Sequence, residues 1–291
     1  MNLKGENMKI YTIGEVLVDM MMEDYPIYHA KFGGAPANVA MNVAKFGADT
    51  YFLGNFGDDY LGSKLKATME ERHIDLSYTT THSKTTLAFV SWDENGERDF
   101  QFYSESDQNY TLPNDFQLSS QSIVHFGGAT AFLKGPLEKA YDSLFKKSIE
   151  AKSIISFDPN FREDLINDLE HFKTKCYGYM DKSNLIKLSE EEANILSDYT
   201  FKENQLVCIT LGAQGSRLIY QGYDHIVPSI EVTQVDSTGA GDAFISALIF
   251  QISQFGFPNV EEAITYVEKA NRIGALTSTQ YGAIDAVPDW E

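Results

Sequence analysis

The chain has 291 residues, of which 43% are hydrophobic, 19 are Phe and 16 are Tyr, and this composition excludes a disordered chain. The length allows one large domain or two small ones to bury a substantial core. The formal net charge of −19 argues against nonspecific binding to nucleic acid or to an anionic membrane surface, because phosphate groups would meet a repulsive field.

Short apolar runs alternate with segments of helical period along the chain. After a loose extension at residues 1–8, strands are predicted at Ile10–Ile13, Thr50–Asn55, Ile123–Phe126, Ile154–Asp158, Leu185–Leu188 and Leu206–Leu211. Helices are predicted at Ala35–Lys45, Leu61–Arg72, Pro136–Ala151, Glu190–Ser197, Ala240–Phe255 and Val260–Leu276. This alternation predicts an α/β fold with three layers, in which helices cover both faces of a mostly parallel central sheet.

Two stretches, residues 16–31 and 85–103, depart from this pattern and are typical of antiparallel β-structure. The second contains Asn95-Gly96, a strong signal for a hairpin turn. We expect them to form a small β-sheet beside a main domain made of residues 9–15, 32–84 and 104–291. A lid over an active site and an oligomerisation surface are equally good interpretations of such a sheet.

Cysteine content and hydropathy indicate the compartment. Cys176 and Cys208 cannot form a disulfide framework, and they are predicted to lie in a core helix and a core strand. No apolar run approaches the roughly 20 residues that span a bilayer, and the polar start lacks the apolar segment of a signal peptide. We therefore expect a cytoplasmic protein.

The strongest chemical signal is the segment Val235-Asp236-Ser237-Thr238-Gly239-Ala240-Gly241-Asp242-Ala243-Phe244. Its glycines let backbone N–H groups converge at a helix N-terminus, which favours a bound phosphate. Asp242 follows at once. It either complements the helix dipole or takes the proton of an attacking hydroxyl while the amides stabilise a transferring phosphoryl group. The segment matches neither a Walker A loop nor a dinucleotide-binding motif.

A second signal is Gly33-Gly34-Ala35-Pro36-Ala37-Asn38 at the start of a predicted helix. Its simplest interpretation is a loop and helix start with Pro in the first turn. Paired glycines also let a hydroxylated ligand approach the backbone, and the Asn38 amide can both donate and accept hydrogen bonds.

Together, these two segments resemble the signature motifs of the ribokinase-like (pfkB) carbohydrate kinases. The resemblance extends from Lys9 to Pro288, and among family members the chain is most similar to bacterial fructokinases. It implies transfer of the ATP γ-phosphoryl group to a sugar hydroxyl, with Mg²⁺ as cofactor and K⁺ as a further candidate ion. Asp242 would be the base, and Gly239, Ala240 and Gly241 would form the anion hole. It also implies a homodimer.

The resemblance assigns binding roles to residues that carry only weak signals by themselves. Asp19 and Arg162 are otherwise compatible with a solvated acid and a surface ion pair, and Glu192 with a carboxylate that complements a helix dipole. The sugar would be bound by Asp19, Gly33, Gly34, Asn38, Arg162 and Asp242. The nucleotide would be bound by Lys187, Ser189, Thr210, Gly212, Gly215, Gly239, Gly241 and Asn271. Glu192 would hold Mg²⁺ through water, and a monovalent cation would bind at Asp236, Thr238 and Gly282.

The acceptor is indicated by one departure from the family pattern. Many fructokinase-like and ketodeoxygluconate-kinase-like relatives carry Arg after a Phe-Tyr pair, where this chain has Phe102-Tyr103-Ser104. Without that Arg, a sugar acid loses the group best suited to pair with its carboxylate. We therefore expect a neutral sugar, with D-fructose the best candidate. The alternatives are 2-keto-3-deoxygluconate, ribose or a nucleoside, or a non-catalytic sugar sensor on the same fold.

Overall fold

A computed structural model describes residues 8–92, 98–119 and 121–291. In chain order the elements are β1 (Lys9–Ile13), β2 (Leu17–Asp24), β3 (Ile27–Gly33), α1 (Ala35–Lys45), β4 (Thr50–Leu53), β5 (Asn55–Phe56), α2 (Tyr60–Glu71), β6 (Thr80–Thr81), β7 (Leu87–Trp92), β8 (Arg98–Tyr103), β9 (Ser122–Gly127), α3 (Pro136–Ala151), β10 (Ile154–Asp158), α4 (Leu169–Met180), β11 (Leu185–Ser189), α5 (Glu190–Ile195), β12 (Leu206–Thr210), β13 (Ser216–Tyr220), β14 (Tyr223–Val227), α6 (Ala240–Phe255) and α7 (Val260–Thr277).

The main sheet is mostly parallel and has helices on both faces. Its order is β14-β13-β12-β11-β10-β9-β1-β4, and only β13 and β14 run antiparallel to their neighbours. Successive side chains of a strand belong to different hydrophobic cores on the two faces of the sheet. Ile10 packs with α1, α6 and α7, whereas Tyr11 packs with α3 and α4. Both faces are therefore buried, which explains the continuous apolar runs of these strands. The predicted three-layer α/β/α fold is confirmed.

The small sheet has the order β3-β2-β7-β8. β2 pairs antiparallel with β3, β7 pairs antiparallel with β8, and a parallel contact between β2 and β7 joins the two hairpins. Val18 from its β2 strand packs in a third core with Phe52 and Leu65. The small sheet predicted beside the main domain is thus present, and β3 extends to Gly33. The predicted turn at Asn95-Gly96 and most of the predicted extension at residues 1–8 lie outside the described residues.

Several element boundaries differ from the sequence prediction for local reasons. The strand predicted at Thr50–Asn55 breaks at Gly54, where an added Cβ would lie 2.6 Å from the carbonyl oxygen of Gly14. The hairpin β13–β14 was not predicted, although its two-residue turn at Gln221-Gly222 has two positive φ angles, of 49° and 83°. Helix α4 was given no predicted bounds, although Cys176 was expected in a core helix, because its apolar stripe is interrupted by polar residues and by Gly178.

Both cysteines lie where the sequence placed them. Cys176 is on α4 and Cys208 is on β12, and both are free and buried. Across the three described ranges, no helix is long and apolar enough to cross a membrane.

Glu15 stands where the chain leaves β1 for the small sheet, and its carboxylate is buried. Its Oε1 accepts a hydrogen bond from the backbone N–H of Ala129 at 3.0 Å, and its Oε2 accepts one from Oγ1 of Thr130 at 3.2 Å. Burial raises the pKa of Glu15 to about 7; hydrogen bonds oppose the rise, and the nearby Asp107 carboxylate adds to it.

The substitution Glu15→Gln is expected to change the pH dependence of stability. As the pH rises from 4.5 to about 7, folded Glu15 keeps a proton that the unfolded chain has released, so wild-type stability falls across this window and levels off above it. The free energy of unfolding of the wild type relative to the variant should fall by roughly 3 kcal/mol across this range. Urea denaturation measures it, with Glu150→Gln on the surface of α3 as the control. Parallel curves for wild type and Glu15→Gln would contradict this assignment.

Candidate active site

The N-terminal turn of α6, residues 238–242, requires glycine. Gly239 has a φ of 74°, and an added Cβ would lie 2.6 Å from the Cα of Ala283. L-residues with a side chain adopt this left-handed conformation at a cost, and here the neighbouring backbone also leaves no room. The turn therefore presents N–H groups at the start of α6 next to Asp242, as a site for an anion. Of the predicted anion-hole donors, Ala240 already donates its N–H to the carbonyl of Ser237 at 3.2 Å.

Asp242 is partly buried, and Asn38 of α1 holds its carboxylate. The Nδ2 of Asn38 donates to Oδ2 of Asp242 at 2.8 Å, which leaves Oδ1 available to a ligand. The other amide atom of Asn38, Oδ1, is buried and has no donor among the described residues. A ligand hydroxyl or a water would remove this unfavourable state. Two residues that the sequence placed in separate motifs thus meet in one site.

Gly33 and Gly34 connect the end of β3, in the small sheet, to the start of α1. A Cβ added to Gly33 would lie 2.4 Å from Oδ2 of Asp19, so the Asp19 carboxylate lies directly on this backbone. Gly34 caps α1 with a φ of 102°, and its added Cβ would lie 2.5 Å from the carbonyl oxygen of Glu15. A side chain at Gly33 would displace Asp19, and one at Gly34 would displace the backbone of Glu15.

Charges from neighbouring strands act on Asp242. Burial raises the pKa of Asp242 to about 6, and the hydrogen bond from Asn38 opposes the rise. The carboxylate of Asp158 raises this pKa further, while Lys187 and Arg162 lower it. At neutral pH Asp242 is therefore mostly ionised, yet it is a stronger base than an exposed aspartate.

A cavity of about 490 Å³ opens beside the turn, between the end of β12, α6 and α7. It is lined by Thr210, Gly212, Gly215, Ala240, Gly241 and Asn271, together with residues of the loop between β14 and α6. Most of the predicted nucleotide residues therefore share one cavity that ends at the α6 turn. Its volume is in the range of small-molecule sites.

The Asn271 amide is occupied by structural contacts. Its Oδ1 accepts from Oγ of Ser216 at 3.0 Å, and its Nδ2 donates to the carbonyl of Val227 at 2.9 Å. Asn271 therefore fixes the β13–β14 hairpin at the wall of the cavity.

Glu192 is buried and completes a capping box at the start of α5. Its Oε2 accepts from the backbone N–H of Ser189 at 2.6 Å, and its Oε1 accepts from that of Phe161 at 2.7 Å. These contacts orient the carboxylate and tie the loop after β10 to α5. A carboxylate fixed by backbone donors keeps further lone pairs, so it can accept from the water shell of a metal ion.

Asp236, Thr238 and Gly282 meet in one small cluster. Oδ1 of Asp236 accepts from Oγ1 of Thr238 at 2.6 Å, and its Oδ2 accepts from the N–H of Gly282 at 3.2 Å. The cluster ties the loop before α6 to the loop after α7. It also borders a cavity of about 630 Å³ that reaches Asp19 on the small sheet.

Two features of the site had no assignment from sequence. The first is the loop of residues 229–234, which lines the cavity beside the turn and has no recognisable motif. The second is Asp158, whose carboxylate binds Lys187 and raises the pKa of Asp242. Its position at the carboxyl end of a parallel strand is the signal that could have found it, because sites form at that edge of such sheets.

Comparisons with known proteins agree with this geometry. The pfkB family carbohydrate kinase profile matches residues 26–290, which is most of the chain. The chain belongs to the pfkB family of carbohydrate kinases. This pfkB kinase is 32% identical to a fructokinase-1 of Oryza sativa subsp. japonica, over 98% of this chain and 96% of that protein.

Solved structures show the same likeness. A fructokinase of Vibrio cholerae O395, in a form bound to fructose, ADP and calcium ion, is 26% identical with a TM-score of 0.86, over 97% of this chain and 96% of that one. A fructokinase of Xylella fastidiosa with bound ATP is 28% identical with a TM-score of 0.87, over the same shares. The family predicted from the two sequence motifs is confirmed.

Proposed function

We propose that the protein is an ATP-dependent fructokinase that phosphorylates the 6-hydroxyl of D-fructose. The proposal rests mainly on the contact of Asn38 with Asp242 beside the α6 turn. This contact places an amide that can bind a sugar next to a candidate base and a candidate anion site. Relatives and structural neighbours named fructokinase support fructose as the acceptor.

The sugar would lie between the small sheet and α1. Asp19 and Asn38 supply an acceptor and an amide for sugar hydroxyls, and Gly33 and Gly34 let the ring approach the backbone. Closure of the small sheet as a lid would exclude water and so suppress wasteful ATP hydrolysis. We also propose that the protein forms a homodimer through this sheet.

ATP would occupy the 490 Å³ cavity, with its γ-phosphate at the α6 turn. The 6-hydroxyl loses its proton to Oδ1 of Asp242, and the hydroxyl oxygen bonds to the γ-phosphorus. The bond from that phosphorus to the bridging oxygen breaks, and ADP leaves with the electron pair. The N–H groups of Gly239, Gly241 and Asp242 and the charge of Arg162 stabilise the developing charge on the phosphoryl oxygens.

Mg²⁺ would be held mainly by the ATP phosphates, with Glu192 holding its water shell. Bound there, the ion neutralises phosphate charge. Asp236, Thr238 and Gly282 would support a monovalent cation such as K⁺.

The absence of an Arg at position 104 supports a neutral acceptor. Ser104 follows β8 of the small sheet and is exposed, so no cation stands there to pair with a sugar carboxylate. A coupled assay of ADP release, with Mg-ATP and fructose, ribose, 2-keto-3-deoxygluconate, adenosine or no acceptor, tests the proposal. Fructose should have the highest kcat/KM of the panel. A strong preference for the sugar acid would contradict the neutral-sugar assignment, and ligand binding without any turnover would favour a sensor.

A further inference from the structure

A deeply buried ion pair lies between two parallel strands next to the active site. The Nζ of Lys187, on β11, is 3.0 Å from Oδ2 of Asp158 at the end of β10 and 3.3 Å from its Oδ1. Their side chains are only 10% and 4% exposed. Two charges this buried are costly to keep unless each is paired, so each partner fixes the other in place.

The ammonium group of this pair lies against the α6 turn. A Cβ added to Gly241 would be 3.3 Å from Nζ of Lys187 and 3.6 Å from its Cε. The positive charge therefore lies beside the N–H groups that would bind the transferring phosphoryl group. In a region of low dielectric, such a charge acts strongly over this distance.

We propose that Asp158 is a positioning residue, which holds the Lys187 ammonium against the α6 turn so that this charge stabilises the transferring phosphoryl group. The inference rests on the proposed phosphoryl transfer and adds a residue to it. Asp158 acts through Lys187, and only Lys187 lies next to the reacting groups.

The surrounding charges are consistent with this role. Burial lowers the pKa of Lys187, but Asp158, Glu192 and Asp242 together outweigh burial and raise it, so the amine stays protonated. His125 is also buried nearby, and burial and the charge of Lys187 lower its pKa to about 3, so it stays neutral. Three charged groups act on Asp242: Asp158 raises its pKa, whereas Lys187 and Arg162 lower it.

Three variants separate this role from a purely structural ion pair. Lys187→Met should lower kcat about 100-fold, because the charge beside the turn is lost. Asp158→Asn should lower kcat about 10-fold, because the ammonium is no longer held in place. In the double variant, Asp158→Asn should cause no further loss beyond that of Lys187→Met. This non-additivity is expected when one residue acts only through the other.

The pH profile of kcat/KM gives the sharper readout. Loss of activity at acidic pH reports protonation of Asp242, so its midpoint should lie near pH 6 in the wild type. In Asp158→Asn, loss of the negative charge lowers the midpoint and release of the ammonium raises it, so its shift should be smaller than that of Lys187→Met. Lys187→Met removes a positive charge and should shift the midpoint to higher pH. The double variant should bring the midpoint back toward the wild-type value while kcat remains low.

Matched controls come from exposed ion pairs. Asp224→Asn breaks its contacts with Arg217, and Lys202→Met breaks its contact with Asp181. Both should leave kcat and the pH midpoint unchanged. The double variant also guards against misfolding, since it leaves no unpaired buried charge.

The assay uses whichever acceptor the wild type phosphorylates fastest, so an error in the choice of sugar does not affect the comparison. A wild type that phosphorylates no acceptor contradicts the proposed function before any variant is compared. The inference itself is overturned if the wild type is active and Asp158→Asn leaves kcat unchanged, or if Lys187→Met leaves the midpoint unchanged. Additive losses of kcat in the double variant would also overturn it.

Discussion

Asp242→Asn is expected to lower kcat by about 1000-fold or more with little change in the fold, because the amide cannot take the proton of the sugar hydroxyl. Asn keeps the size of the side chain, and its Oδ1 can still accept the hydrogen bond from Asn38. KM for ATP should change little, since the nucleotide cavity and the α6 turn stay in place. Steady-state kinetics with fructose and Mg-ATP measure the effect.

Two further results would check this role of Asp242. The acidic limb of the pH profile near pH 6 should disappear in the residual activity of the variant, because the titrating group is gone. Asp289→Asn, at an exposed carboxylate near the C-terminus, should retain full activity. If Asp242→Asn keeps more than about a tenth of the wild-type kcat, Asp242 is not the base.

Gly239→Ala is the second substitution with a large expected effect. The new Cβ would lie 2.6 Å from the Cα of Ala283, so the backbone of the α6 turn must move. Because displacements near 1 Å in a catalytic site lower the reaction rate strongly, kcat should fall about 100-fold or more. Initial rates at saturating ATP and fructose measure this loss.

The same helix supplies the matched control for Gly239. Gly256 follows the other end of α6 with a φ of 88°, and no heavy atom lies within 4 Å of its added Cβ. Gly256→Ala should therefore lose about 1 kcal/mol of stability from the left-handed backbone alone and keep its activity. If both variants retain wild-type rates, the α6 turn does not bind the transferring phosphoryl group.

The sequence predicted the elements whose pattern is local. Helices α1, α3 and α6 were placed at their observed bounds, because their apolar periodicity and their Gly or Pro signals lie within each segment. The bounds of helix α4 and the β13–β14 hairpin were not predicted. Their apolar faces are short, and they are stabilised by packing against residues distant in the chain, as when Asn271 of α7 binds Val227.

The sequence by itself determined the fold class, the pfkB family and the two motifs that carry Asn38 and Asp242, because glycine-rich turns and helix starts depend on neighbouring residues. Only the tertiary structure decided which distant groups act on one another. It brings Asn38 to within 2.8 Å of Asp242, and it places the Asp158–Lys187 pair against Gly241. The reason is physical: the pKa of Asp242 depends on burial and on charges across space, and both are set only when separate strands and helices pack together.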